Sequence, residues 1–206
     1  MSLLQTIFFA TAPLVAMTNP VAEVPLFLHL VEGKTKAEAH RAAVGVSIGV
    51  ALILALASVG GIQFLTFLGI ELSAFRAAGG LLLVVMGLEM LRGEEPERAA
   101  LPSPSEAQDA LLVPLTMPLL AGPGAIAVTV SLTVRDPYML GILPLATIAA
   151  VVLASLTVYF VLALSGFVGS HISRRGTRIL TRFSGLILVA IGFQMGFTGI
   201  AEFFSL

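Results

Sequence analysis

Two short runs hold the residues of this 206-residue chain best suited to chemistry. The first is Thr18-Asn19-Pro20-Val21-Ala22-Glu23-Val24-Pro25. Pro20 has no backbone N–H and its ring opposes the carbonyl four residues earlier, so a helix must break or kink there. Asn19 before Pro20 reads as an N-cap followed by a first helical position, which predicts a new half-helix starting at that point. The second run, Pro114 through Gly124, contains Pro118 and the triplet Gly122-Pro123-Gly124. Its glycines can adopt backbone angles closed to other residues, and Pro123 is again placed at a helical start. Thr18, Asn19, Pro20, Ala121, Gly122, Pro123 and Gly124 are therefore the candidate binding residues. Two half-helix N-termini would bring free N–H donors and partial positive charge to one site suited to a carboxylate, and small side chains leave room only for a small ligand. The competing reading makes both runs simple bends whose freed backbone groups are met by water.

Ionisable groups in apolar surroundings are costly and mark functional suspects. Glu23, four residues after Asn19, falls one helical turn along on the same face and is the candidate for proton coupling, because a carboxyl in such a place can load and release a proton. The alternatives are a neutral Glu23 bonded to backbone, or one solvated at the cytoplasmic mouth. Arg76 and Glu89, near opposite ends of one apolar segment, read as gating or structural residues of the snorkelling kind, and Gln194 as a hydrogen-bonding group between helices. His29, His40 and His171 have no carboxylate or second histidine at i+4, so no metal site is expected. There is no cysteine, and no phosphate loop, nucleophile elbow or HExxH motif, so neither an enzyme nor a cofactor is expected.

The elements that must hold these residues follow from composition. The chain is 57% hydrophobic and 11% charged, which makes lipid its main solvent. Its net charge is −1 and its basic residues are scattered through short loops, which speaks against a nucleic-acid partner. Apolar runs predict six spanning helices near residues 3–31, 42–67, 73–92, 110–134, 140–165 and 181–204, the first retained rather than cleaved as a signal. The Pro- and Ser-bearing stretch 93–109 reads as a cytoplasmic linker between a 1–92 half and a 110–206 half of a single membrane domain. Nine of eleven Lys and Arg residues fall on one side, leaving Arg76 and Arg135 on the other. The positive-inside rule then puts both termini outside the cytoplasm. At an offset of 105, the run GLLLVVMGLEM (80–90) aligns without a gap with GLILVAIGFQM (185–195), with six identities. Three helices per half is odd, so the second copy must enter from the opposite side: an all-α membrane protein of two inverted three-helix repeats, with helices 1 and 4 interrupted. Gly80 and Gly87, like Gly185 and Gly192, share a helix face and read as packing positions.

These same residues carry a resemblance. Asn19-Pro20 with Val24-Pro25-Leu26-Phe27-Leu28, Ala74-Phe75-Arg76-Ala77-Ala78-Gly79-Gly80, and Val113-Pro114-Leu115 through Pro118 to Ile126 resemble the MarC family of bacterial and archaeal inner-membrane proteins. The resemblance spans nearly the whole chain and implies membership of the wider LysE-type transporter superfamily, six helices in inverted repeats and both termini outside. It also implies transport of glycine, alanine and other small neutral amino acids, with Asn19-Pro20 and Gly122-Pro123-Gly124 as the helix-break motifs. Where many relatives have Gly-Asn, this chain has Ala22-Glu23. A transporter, in direction an exporter, is thus the leading expectation, with protons as the coupling ion and a homo-oligomer compatible with it. A non-transporting scaffold or regulatory partner, or an exporter of another small solute, is the alternative.

Overall fold

The computed structural model describes residues 2–21, 23–92, 120–166 and 174–204. The linker 93–109, Pro114, Pro118 and His171 lie outside the described residues, as does the first part of the fourth expected helix. The elements in chain order are α1 (Leu3–Thr18), α2 (Val24–Leu30), α3 (Lys36–Phe67), α4 (Leu72–Arg92), α5 (Pro123–Val134), a hairpin of β1 (Met139–Leu140) and β2 (Leu143–Pro144), α6 (Leu145–Ala163) and α7 (Arg174–Phe203).

Among the described residues, four helical stretches, Lys36–Phe67, Leu72–Arg92, Leu145–Ala163 and Thr181–Phe203, are long and apolar enough to cross a membrane. α1 and α5, of 16 and 12 residues, are apolar but short. At about 1.5 Å per residue neither alone covers a hydrocarbon core of roughly 30 Å. They are the two segments expected to be interrupted. Apolar side chains point both inwards and outwards on the long helices: Leu54 and Leu83 are buried, while Leu56, Leu81, Phe160 and Phe197 stand exposed. That distribution suits lipid on the outer face and helix packing within.

Helix starts differ from the apolar pattern where local chemistry intervenes. α3 begins at Lys36, six residues before the apolar run, because Thr35 and Glu38 form a capping box that supplies partners for orphan N–H groups. α6 begins at Leu145 rather than near 140, since Gly141 (φ 62°) closes the β1–β2 hairpin and Pro144 is the N-cap. Asp136, buried in this connection, accepts hydrogen bonds from the N–H groups of Tyr138 (2.9 Å) and Thr147 (2.7 Å), tying the hairpin to the first turn of α6.

α4 and α7 pack antiparallel through the glycines the sequence offset aligns. A β-carbon on Gly80 would stand 2.5 Å from the Gly192 carbonyl oxygen, and one on Gly192 would stand 2.7 Å from that of Gly80. Gly87 and Gly185 oppose each other in the same way, at 2.6 and 2.8 Å. The two contacts, 80 with 192 and 87 with 185, exchange under the 105-residue offset. Such reciprocity is what a two-fold axis across a helix pair produces. Glycine is required here because only a residue without a β-carbon lets two backbones approach so closely.

Candidate functional site

The first break is real, and its polarity differs from the sequence expectation. α1 stops at Thr18, and Asn19 is its C-cap in the left-handed region (φ 34°, ψ 55°), donating its N–H to the Val15 carbonyl at 3.0 Å. Asn19 is therefore not the N-cap of a half-helix starting at Pro20. Asparagine tolerates this conformation because its short polar side chain does not crowd the backbone as a branched one would. Pro20 and Val21 form a turn, and α2 starts only at Val24, whose N–H donates to the Val21 carbonyl at 3.3 Å. Thr18 and Pro20 are buried and Asn19 is half-buried. Glu23, half-buried, lies in this turn, so the helical-face argument linking it to Asn19 does not hold. Its backbone carbonyl accepts from Phe27 N–H at 2.9 Å.

The second break matches expectation in its described part. Leu120, Ala121 and Gly122 are buried and precede α5. Gly122 is the N-cap in extended conformation (φ −65°, ψ 177°), Pro123 occupies the first helical turn, and no side chain caps the helix. The Ile126 N–H is taken by the Gly122 carbonyl at 3.1 Å. Among the described residues no side chain caps α5 to meet the first-turn N–H groups of Gly124 and Ala125.

The two breaks are neighbours. A β-carbon on Gly124 would press on Cε of Met17, two residues before Asn19, and would stand 3.0 Å from Leu83 Cδ2 on α4. α1 and α5 run antiparallel, since Phe9 and Pro13 share a cavity with Val128, Ser131 and Arg135 further along. The carbonyl end of α1 therefore lies beside the N–H end of α5. At this contact the described residues bring the partially negative end of α1 beside the partially positive start of α5, while the half-helix after the first break, α2, starts only at Val24. Thr18, Asn19, Pro20, Ala121, Gly122, Pro123 and Gly124 flank this junction.

The remaining candidates lie elsewhere. Arg76 does not snorkel: it is 3% exposed, and its Nη1 donates to both carboxylate oxygens of Glu202 near the end of α7, at 2.6 Å to Oε1. Glu89 is half-buried two residues after Gly87. Gln194 is exposed and lines a cavity of about 330 Å³ instead of bridging helices. That cavity lies beside α1, α5 and α7, with Ser131, Gln194 and Arg135 as its polar side chains. Pro13, inside α1, has no N–H for the Phe9 carbonyl, and both residues line it. Sequence reasoning missed Pro13, Glu202 and Asp136. Pro13 had a local signal, a proline within a helical run. Glu202 had only the glycine register, which in an antiparallel pair sets the start of α4 against the end of α7.

Short, interrupted apolar helices packed within a bundle of long apolar helices define an integral membrane protein. The chain belongs to the MarC family of integral membrane proteins, which it matches over residues 4–204. It is 34% identical over 206 residues to a UPF0056 membrane protein of Pyrococcus abyssi, with all of both chains covered. It is 35% identical to one of Methanocaldococcus jannaschii, covering 96% of this chain and 97% of the relative. The UPF0056 membrane protein YhcE of Escherichia coli is 29% identical, with 93% and 90% covered. No solved structure matches the chain.

Proposed function

We propose that this protein is a secondary transporter, in direction an exporter, of small neutral amino acids such as glycine and alanine. It would work by alternating access of two inverted three-helix halves in the inner membrane, with both termini outside the cytoplasm. The observation that carries the reading is the junction of the α1 C-terminus with the uncapped α5 N-terminus, seen where Gly124 meets Met17. Unmet backbone groups cost several kcal/mol in hydrocarbon, so a helix end left without a cap needs a polar partner. A zwitterion has the matching polarity: its carboxylate suits the N–H groups of Gly124 and Ala125, and its ammonium suits the carbonyl end of α1. Met17, Leu83 and Met86, packed against Gly124, leave room only for a small ligand. The reciprocal glycine contacts between α4 and α7 support inverted halves, and two such halves give inward-open and outward-open forms of similar energy.

In proteoliposomes, purified protein should move labelled glycine or alanine down an imposed pH gradient. Gly122→Leu, which fills the junction, should reduce that flux at least about tenfold, since positioning losses of this kind reach a hundredfold. Wild-type protein inert towards a broad amino-acid panel would overturn the reading. Glu23→Gln tests proton coupling separately: the expected result is flux that no longer follows the pH gradient, and unchanged pH dependence would place the coupling group elsewhere.

A further inference from the structure

Among the described residues, the buried side-chain nitrogen and oxygen atoms without a hydrogen-bond partner are Arg76 Nε, Arg76 Nη2 and Ser155 Oγ. Only Arg76 carries a charge. A guanidinium has donors on two edges: Nη1 stands at one, and Nε with Nη2 makes the parallel fork that fits a carboxylate with two hydrogen bonds. Glu202 engages Nη1 alone, with both of its oxygens. The whole Nε/Nη2 fork of this arginine, only 3% exposed, is thus left without an acceptor among the described residues. Leaving buried charged donors unmatched is among the more expensive arrangements a protein can keep, and it calls for a ligand or another acceptor.

The position of Arg76 gives the fork a context. Arg76, Gly79, Gly80, Leu83 and Gly87 are the buried stripe of α4. Leu83 stands beside Gly124 at the helix-break junction, and Arg76 is seven residues away on the same face, about 10 Å along at 1.5 Å per residue. Between them, a β-carbon on Gly79 would lie 2.5 Å from Met195 Cε, and Met195 is a wall of the 330 Å³ cavity. Met195 and Glu202 are themselves seven residues apart, on one face of α7. Arg76 and Glu202 therefore flank the cavity wall on the side away from the junction. Glu202 has 43% of its side chain exposed, enough to accept from a second group as well as from Arg76.

We propose that the Nε/Nη2 fork of Arg76 is a carboxylate-binding subsite, separate from the helix-break junction, with Glu202 as the acceptor for a cationic group on the same ligand. A zwitterion leaves the Arg76–Glu202 pair electrically balanced, whereas a simple carboxylate adds a net negative charge to a buried place. As a station on a transport path the subsite rests on the transporter reading; as a binding site it is measured without flux.

The experiment is equilibrium dialysis of the full chain in nanodiscs with labelled glycine, labelled acetate and, as competitor, glycinamide, which lacks the carboxylate. Arg76→Lys keeps the charge and can still pair with Glu202, but has no fork; size-exclusion profile and thermal unfolding establish that it folds. Arg76→Lys should weaken glycine binding about tenfold, because a bidentate contact becomes a single point charge. Glycinamide should compete poorly. Glu202→Gln should weaken glycine more than acetate if the ligand is a zwitterion, and the two equally if a simple carboxylate is held. A folded Arg76→Lys protein that binds both ligands as the wild type does overturns the proposal, as does a wild type that binds neither. If the wild type transports and Arg76→Lys leaves binding and KM unchanged, the subsite falls while the transporter reading stands. If glycine binds in an Arg76-dependent way without any flux, the subsite stands and the transporter reading falls.

Discussion

Replacing Gly80 by alanine should destabilise the protein, while the same change at Gly60 should stabilise it. The Gly80 β-carbon would stand 2.5 Å from the Gly192 carbonyl oxygen and 2.7 Å from the Gly196 α-carbon, against an ordinary contact of 3.4 Å or more. These are backbone atoms, so relief requires α4 and α7 to separate by roughly 0.9 Å, a gap that forfeits a quarter to a half of the dispersion energy at each affected contact. Overpacking of this kind costs up to about 3 kcal/mol. Alanine's better helix propensity offsets about 1 kcal/mol of it. The net loss is therefore about 2 kcal/mol, or roughly thirtyfold in the ratio of folded to unfolded protein. A β-carbon on Gly60, exposed on α3, meets nothing within 4 Å, so there only the propensity gain of about 0.5–1 kcal/mol remains. Reversible unfolding in bicelles titrated with a denaturing detergent reads both. Because Gly80 and Gly192 face each other, the first alanine already separates the helices. The Gly80→Ala/Gly192→Ala pair should then cost less than the sum of its parts by about 1 kcal/mol. A Gly80→Ala protein as stable as Gly60→Ala, or strict additivity in the double variant, would refute the close glycine contact and with it the two-fold reading of α4 and α7.

Asn19→Gly should leave thermal stability within a few tenths of a kcal/mol, while Asn19→Val should lose about 1–2 kcal/mol, because a branched residue resists the left-handed cap of α1. Equal melting temperatures for the two would show that the cap does not hold this conformation in the membrane. Asp136→Ala removes the acceptor for two N–H groups and should cost about 1–3 kcal/mol, with faster hydrogen exchange at Thr147 as the local sign. Unchanged exchange there would remove Asp136 from the support of α6.

The apolar segments, both breaks and the helix-packing glycines were legible along the chain because each rests on a local property. Apolar length decides membrane crossing, proline removes an N–H wherever it stands, and glycine leaves no β-carbon. The capping box at Thr35 and Glu38 is equally local, although the apolar pattern masked it by starting six residues later. What the chain order did not reveal was polarity and partnership. Asn19-Pro20 is compatible with a helix beginning or ending, and only the left-handed backbone of Asn19 decides that α1 ends there. Glu23 looked one helical turn from Asn19, but Pro20 and Val21 form a turn between them, so the two residues share no helix. Arg76 read as a boundary residue until α4 and α7 were packed. Their antiparallel register brings Glu202, 126 positions away, against one edge of its guanidinium and leaves the other edge without an acceptor among the described residues. Sequence alone thus determined that the protein lives in lipid and where its helices fail. The packed bundle decided which helix ends meet and which buried charges find partners, because those depend on distances between segments that no local pattern encodes.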